Sequence, residues 1–199
     1  MLRQIGNQFR KPSGFLGKII SFLMKKGNLH AYNKIIPLLN IQNGDHILEI
    51  GYGHGVGLDM ICTNYNCKVT GVDFSELMQQ ESQNRNKKHI QEHQLDLKFG
   101  DYLKMPLPQE SFDQIFFINV IYFWEDIQVA FKKINEELKT NGTFVFYMVH
   151  QEDLKKMKFT LDDIFHKYEI DYVIQELELA GFKNIDFQFD TGYIIKCTK

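Results

Sequence analysis

His46-Ile47-Leu48-Glu49-Ile50-Gly51-Tyr52-Gly53-His54-Gly55-Val56-Gly57 is the stretch around which the chain is organised. Ile47, Leu48 and Ile50 form a short apolar run rich in β-branched residues, as expected of a strand buried on both faces. Four glycines follow at alternate positions, Gly51, Gly53, Gly55 and Gly57. Glycine lets the backbone turn sharply there and lets a ligand approach main-chain N–H groups with no Cβ in the way. Leu58, Met60 and Ile61 then open a helical apolar pattern. Strand, glycine turn and helix make the first unit of a nucleotide-binding α/β fold, with the ligand at the helix N-terminus.

The spacing narrows the ligand. A dinucleotide site requires G-x-G-x-x-G/A. From Gly51 the last position is Val56, and from Gly53 it is Leu58, so both frames fail and a nicotinamide dehydrogenase is disfavoured. What remains is Glu49-x-Gly51-x-Gly53-x-Gly55.

Downstream, the pattern keeps alternating between strand and helix. A helix is expected from Gly55 to Asn64 and a second strand from Cys67 to Asp73. Asp73 stands where a carboxylate at the end of the second strand can accept hydrogen bonds from both hydroxyls of a ribose. Ser75 is a good N-cap for a helix over 76–86. Gln94 to Gly100 alternates as a third strand, with Leu95, Leu97 and Phe99 on one face. Asp101 follows it, where it could accept from an adenine amino group, with Tyr102 beside it. Met105-Pro106-Leu107-Pro108 reads as loop. Gln114 to Val120 reads as a buried fourth strand, and Glu125-Asp126 opens a helix carrying Val129, Phe131, Ile134 and Leu138. Asn141-Gly142 is a turn, and Thr143 to Val149 a fifth strand. Gln151 to Lys158 reads as a solvated face or loop. Leu161 to Ala180 has a helical pattern with Gly181 as its C-cap. Phe182 to Phe189 and Tyr193 to Cys197, joined by Asp190-Thr191-Gly192, form an antiparallel pair.

Before the first strand, Met1 to Pro12 reads as irregular and basic. Gly14 to Lys26 sets Phe15, Leu16, Ile19, Ile20, Phe22, Leu23 and Met24 against Lys18, Ser21, Lys25 and Lys26, a basic amphipathic helix. It could cap the core or touch a membrane or lipid substrate through residues 14–26. Asn28 is a candidate N-cap for a second helix, with a break near Ile36 imposed by Pro37. Residues 1–40 are thus expected to form a helical cap or lid and residues 41–199 the ligand-binding domain, within one structural domain overall.

Composition bounds the function. The 199 residues suffice for one domain with a sizeable core. A net charge of −2 offers no overall electrostatic footprint for nucleic acid, and none is expected as a partner. The cysteines, Cys62, Cys67 and Cys197, show no metal-ligand spacing, so no metal is expected; core thiols in a reducing compartment fit them best. No signal-peptide pattern or bilayer-long apolar run is present, so a cytoplasmic location is the default expectation. The oligomeric state is left open.

The run Ile-Leu-Glu-Ile-Gly-x-Gly-x-Gly (47–55), with Gly-Val-Asp-Phe-Ser (71–75), Gly-Asp (100–101), Phe-Asp-Gln-Ile (112–115) and Ala-Gly-Phe (180–182), resembles class I S-adenosylmethionine-dependent methyltransferases over about residues 41–199. Tyr122-Phe123-Trp124-Glu125-Asp126 is similar to the small-molecule branch, including ubiquinone/menaquinone-type enzymes. The resemblance implies an α/β Rossmann-like three-layer sandwich, its seven-stranded sheet ordered 3-2-1-4-5-7-6 with strand 7 antiparallel. It implies S-adenosylmethionine as cofactor and S-adenosylhomocysteine as product. Gly51, Gly53 and Gly55, with Glu49 nearby, would face the methionine part. Asp73 would hold the ribose, Phe74 would lie against the adenine and Asp101 would meet its amine. Asn119 and Val120 would line the site after strand four.

The expected activity is methyl transfer to a small, apolar or amphipathic acceptor by direct displacement. The sulfonium is already an activated leaving group, so alignment of the reactants supplies most of the catalysis. Tyr122, Phe123 and Trp124 are candidates for the acceptor pocket, with core anchoring as the alternative. His150 could act as a base and Tyr122 could assist. His54 and His30 are not assigned catalytic roles. Asn119-Val120-Ile121-Tyr122 has the spacing of the Asn/Asp-Pro-Pro-Tyr motif of nucleic-acid and protein methyltransferases, but both prolines are absent. An RNA or protein methyltransferase, or a non-catalytic cofactor-binding module, are the remaining alternatives.

Overall fold

The computed structural model describes residues 1–199 except for the side chains of Lys25 and Lys26, which lie outside the described set. The polar face expected at Lys25 and Lys26 lies outside the described residues.

The chain opens with α1 (Leu2–Arg10) and α2 (Gly14–Leu38), then enters β1 (His46–Ile50). It continues through α3 (Val56–Asn64), β2 (Lys68–Asp73), α4 (Glu76–Arg85), α5 (Lys87–Gln91) and β3 (Leu95–Phe99). β4 (Phe112–Ile118), α6 (Ile127–Glu137) and β5 (Leu138–Met148) follow. α7 (Gln151–Lys156), α8 (Ile170–Leu179), β6 (Lys183–Phe189) and β7 (Tyr193–Thr198) complete it. The seven strands form one sheet in the order β3-β2-β1-β4-β5-β7-β6. All neighbours are parallel except β7, which runs antiparallel to both β5 and β6. The expected order and the reversed strand are both present.

The central strands are buried on both faces, and alternation divides their side chains between two cores. Ile115, Phe117, Phe144 and Phe146 pack with Ile127, Phe131 and Val173 beneath α6 and α8. Ile47, Phe116, Ile118 and Val145 pack on the other face with Tyr32, Ile35, Leu58 and Ile61 of α2 and α3. Asp113 of the Phe-Asp-Gln-Ile stretch anchors the start of β1: its Oδ2 accepts from His46 N–H at 2.8 Å and pairs with Lys139 at 2.7 Å. Cys62, Cys67 and Cys197 are free and buried. Burial pushes the Cys62 thiol up to about 12 and Cys67 to about 11.

The largest departures from expectation lie at the two ends. Met1–Pro12 is not irregular: α1 fills most of it, held by Phe9 stacked 4.5 Å from Phe159 and by an Arg3–Asp163 ion pair. The two expected helices after it are a single helix, α2, so Asn28 is a mid-helix residue and not an N-cap. Pro37 sits in the last turn and the helix ends one residue on, at Leu38, instead of breaking at Ile36. Leu161–Glu169 is not helical. Ile164 and Phe165 are instead pulled into the core by turns, and α8 begins only at Ile170. Gln151–Lys156 is helical, with Lys155 and Lys156 paired to Glu152 and Asp153 one turn earlier. The Asn141-Gly142 turn is absorbed into β5 as an irregularity: Asn141 has φ +65°, and pairing with β4 jumps from Phe112–Leu138 to Gln114–Thr143.

Candidate active site

A cavity of about 350 Å³ opens at the C-terminal ends of β1, β2, β3 and β4, roofed by the N-terminal helices. Strand ends are where ligands bind in open α/β sheets, because the loops there diverge at the topological switch point.

The glycine loop forms its floor. Gly53 has φ +50°, a conformation costly for residues with a Cβ, and a Cβ built on it would meet nothing within 4 Å. Its bare side therefore faces open space beside the cavity. Gly55, at φ +69°, is the cap of α3 and lies on the far side of the loop. A Cβ there would stand 2.2 Å from Ser82 Oγ and 2.4 Å from Asn86 Nδ2. Gly51 and Gly53 line the cavity; Gly55 shapes the loop from behind and does not.

Asp73 locks the loop in place. Its Oδ2 accepts from Gly53 N–H at 2.9 Å and its Oδ1 from Ser75 N–H at 2.8 Å. Each carboxylate oxygen still has a second lone-pair site. Burial lifts its pKa to about 6, against those backbone donors, which favour the charged form. Phe74 and Asp101 stand beside it in the wall. Asp101 also caps a short 3-10 turn, accepting from Leu103 N–H at 3.1 Å.

Glu49 is not in the wall. It is buried beneath the loop, where Oε1 accepts from Tyr32 Oη at 2.7 Å and Oε2 has no hydrogen-bond partner among the described residues. Burial raises its pKa to about 8. Tyr102 reaches the wall with its ring, but its hydroxyl is turned away, donating to Glu137 at 2.7 Å.

After β4 the chain turns at Asn119, which has φ +58°. Asn119 Nδ2 donates to Asn28 Oδ1 of α2 at 3.0 Å, and Asn119 Oδ1 accepts from Tyr122 Oη at 3.0 Å. Tyr122 also takes the Val149 N–H. The structure places Tyr122 away from the cavity that was expected to hold it: both sides of its hydroxyl are occupied in bracing β4 against β5, and the ring is buried. Burial raises its pKa above the usual phenol range. Phe123 and Trp124 do line the cavity, Trp124 held edge-on against Phe117 at 5.1 Å. Val120 lies between them and Gly51.

The structure also places His150, the expected base, away from the cavity. Its Nδ1 accepts from Glu152 N–H at 3.1 Å as the cap of α7, and its ring packs near Tyr193 and Phe189. It is not a cavity residue. His30 pairs with Asp190 at 2.8 Å, whereas His54 reaches the cavity.

A cap over residues 1–40 was expected, but the individual side chains that roof the site were not. Phe9, Arg10 and Pro12 join Ser21, Met24 and Asn28 of α2 above the loop. The strap between α1 and α2 is tied down by Ser75 Oγ, which donates to Pro12 O at 2.8 Å, and Lys11 Nζ lies 5.8 Å from the Phe74 ring centroid. The helical spacing of Ser21, Met24, Asn28 and Tyr32 was the available signal, since it puts these residues on one face.

The donor set suits an adenosyl ligand: paired carboxylates at adjacent strand ends, an aromatic ring between them, and a glycine floor with one open side. Among the described residues no cluster of His, Cys, Asp or Glu could hold a metal ion.

Comparison with known proteins agrees. The methyltransferase-domain family model matches residues 48–146. An uncharacterized methyltransferase of Bacillus subtilis is 27% identical over 172 residues, 86% of this chain and 90% of that protein. The sterol 24-C-methyltransferase of Gibberella zeae is 25% identical over 156 residues, 73% of this chain but only 41% of that enzyme. In structure, the chain superposes with a TM-score of 0.72 at 15% identity on Haemonchus contortus phosphoethanolamine N-methyltransferase 2, solved with phosphomonomethylethanolamine and S-adenosylhomocysteine. That match covers 85% of this chain and 52% of the other. Sheet order and glycine loop define the class I methyltransferase fold. The chain belongs to the S-adenosylmethionine-dependent methyltransferases and uses that cofactor.

Proposed function

We propose that the enzyme methylates a small apolar or amphipathic acceptor by direct displacement, inside the roofed cavity. The observation that carries this is the enclosure itself: the glycine floor and Asp73 lie at one end, Phe123 and Trp124 close the wall, and α2 covers both. A pocket of that kind, mostly apolar with a few fixed polar groups, suits a small ligand better than a macromolecular surface. The curated relative acting on sterols supports the same acceptor class. The likeness of residues 122–126 to ubiquinone/menaquinone-type enzymes puts quinols first among acceptors to try.

In this reading Asp73 uses its free lone pairs for the ribose hydroxyls, Phe74 flanks the adenine, and Asp101 takes the adenine amine. Gly51 and Gly53 admit the methionine part, with Asn119 and Val120 beside it. Glu49 acts one layer deeper, holding Tyr32 under the loop. When bound, the cofactor supplies a methyl group on a sulfonium, already activated for transfer. The chain's contribution is to hold the acceptor in line and exclude water, an effect of order 7–11 kcal/mol for well-aligned reactants. Phe123 and Trp124 also present faces that favour a neighbouring cation. No base is assigned, because His150 and Tyr122 are held elsewhere.

Calorimetric titration with S-adenosylhomocysteine and, separately, NADH tests the site. Micromolar binding of the first and none of the second is expected. A methyl-transfer screen over quinols, amphipathic amines, RNA and protein then tests the acceptor. Turnover confined to RNA or protein would overturn the small-acceptor reading.

Deleting residues 1–26 tests the roof. The remaining chain keeps Tyr32, Ile35, Ile36 and Leu39 in the core and the whole sheet. A cooperative thermal transition should persist while S-adenosylhomocysteine affinity falls roughly tenfold, the scale of a few lost contacts. Loss of the transition would make the segment part of the folding core instead.

A further inference from the structure

α2 has two apolar faces with different occupants. At 3.6 residues per turn, Ser21, Met24, Asn28 and Tyr32 share the side that lines the cavity. Phe15, Ile19, Phe22 and Leu23 share the opposite side. Phe15 is 80% exposed, Leu23 59% and Ile19 47%, with Leu16 adding to the same outer stripe. Scattered exposed apolar residues need no explanation, but a contiguous helical stripe of them marks an interaction surface.

The charge around the stripe says what it meets. Seven of the 23 Lys and Arg residues lie within residues 1–44, and none of the 25 Asp and Glu residues does. The whole chain is acidic at −2, so the basic character is concentrated on this segment. Lys18, on α2 beside the stripe, forms no ion pair with any described residue, whereas Arg10 lines the cavity and Lys11 lies over the Phe74 ring. A second copy of the chain would bring the same basic residues against their like, since a twofold interface pairs a patch with itself. An anionic lipid surface instead accepts the apolar side chains and attracts the lysines and arginines around them.

We propose that the protein docks peripherally on anionic membrane surfaces through the outer face of α2, Phe15, Leu16, Ile19 and Leu23 entering the interface between lipid headgroups. Among the described residues no helix is long and apolar enough to cross a membrane, so the contact is interfacial. The inner face of the same helix roofs the cavity, which places the catalytic site one helix diameter from the lipid. Docking rests on α2 alone. Only the delivery of an amphipathic acceptor from the bilayer rests on the function proposed above, and the test needs no acceptor.

The test is co-sedimentation of the full chain with vesicles of equal parts phosphatidylcholine and phosphatidylglycerol, and with vesicles of phosphatidylcholine alone. Binding to the anionic vesicles, weakened by salt and much weaker on the neutral ones, is expected. The double variant Phe15→Ser/Leu23→Ser should bind at least about tenfold more weakly, and Lys18→Glu should also bind more weakly. Both should keep wild-type affinity for S-adenosylhomocysteine, because neither alters a cavity residue; that measurement also separates a lost surface from a lost fold. No binding to anionic vesicles, equal binding to both kinds, or wild-type binding by the double variant would overturn the proposal. So would a concentration-dependent dimer that the same double substitution abolishes, which would assign the stripe to a second copy.

Discussion

Asp73→Ala should weaken S-adenosylhomocysteine binding by well over tenfold. Charge-assisted hydrogen bonds of about 1.5–3 kcal/mol each are lost to the ribose. The structure adds a second loss. Asp73 accepts from Gly53 N–H and Ser75 N–H, so the variant leaves two backbone donors without their acceptor and frees the glycine floor. The pH dependence carries the same signature. Burial places the Asp73 pKa at about 6 in the unliganded protein. Above that value the group is a carboxylate and can accept from both hydroxyls; as pH falls through it, the group takes a proton and affinity should drop. Titration calorimetry between about pH 5 and pH 7, a window bracketing that value and below the Glu49 value of about 8, should show the slope in the wild type and a flat line in Asp73→Ala. Unchanged affinity in the variant would remove Asp73 from the site.

Gly55→Ala should be among the most destabilising single substitutions in the chain, by roughly 3–5 kcal/mol. The left-handed backbone costs a residue with a Cβ about 1–2 kcal/mol. The added methyl would also overlap Ser82 Oγ and Asn86 Nδ2, both on fully buried side chains. Asn86 Nδ2 donates to Gly55 O at 3.1 Å, so relieving the overlap breaks a buried hydrogen bond. Gly53→Ala is the matched control. It carries a similar positive φ, but its methyl enters open space. It should cost about 1–2 kcal/mol of stability and act mainly on cofactor affinity. Urea midpoints for the pair, with calorimetric affinities, separate the roles. Equal stability losses would show that the space behind Gly55 gives way.

The central architecture was legible because its signals are local. Buried parallel strands read as apolar runs, the glycine turn follows at fixed spacing, and Asp190-Thr191-Gly192 announces the terminal hairpin. The candidate cofactor residues were chosen from the same positions, and of these Gly51, Gly53, Asp73, Phe74 and Asp101 gather around one cavity while Glu49 and Gly55 do not. What escaped was orientation and long-range contact. Nothing in Tyr122-Phe123-Trp124 says which ring faces inward, and a 3-10 turn there sends Tyr122 to the core and its two neighbours to the cavity. His150 at a strand end looks like a base, yet a ring nitrogen one residue before a helix is equally suited to capping it. Gly27-Asn28 looks like a helix break, but packing of Tyr32, Ile35 and Ile36 on one side and α1 on the other carries the helix through. The placement of Phe9, Arg10 and Pro12 over the site depends on Phe159 and Ser75, residues far along the chain.

The continuity of α2 also determines how the site can open. At about 1.5 Å per residue its 25 residues make a rod of roughly 37 Å. One end is rooted among Tyr32, Ile35 and Leu39, and the other overhangs the cavity. The rod is continuous through Gly27, so its outer half could swing back as a flap only by breaking backbone hydrogen bonds there. Pro37, which lacks the N–H that would tie it into the preceding turn, lies behind the root. Lifting the roof intact would therefore take a pivoting of the whole rod, or a peeling of the Pro12 strap from Ser75. The first is a collective motion of microseconds to milliseconds, slower than the fluctuations of a free loop.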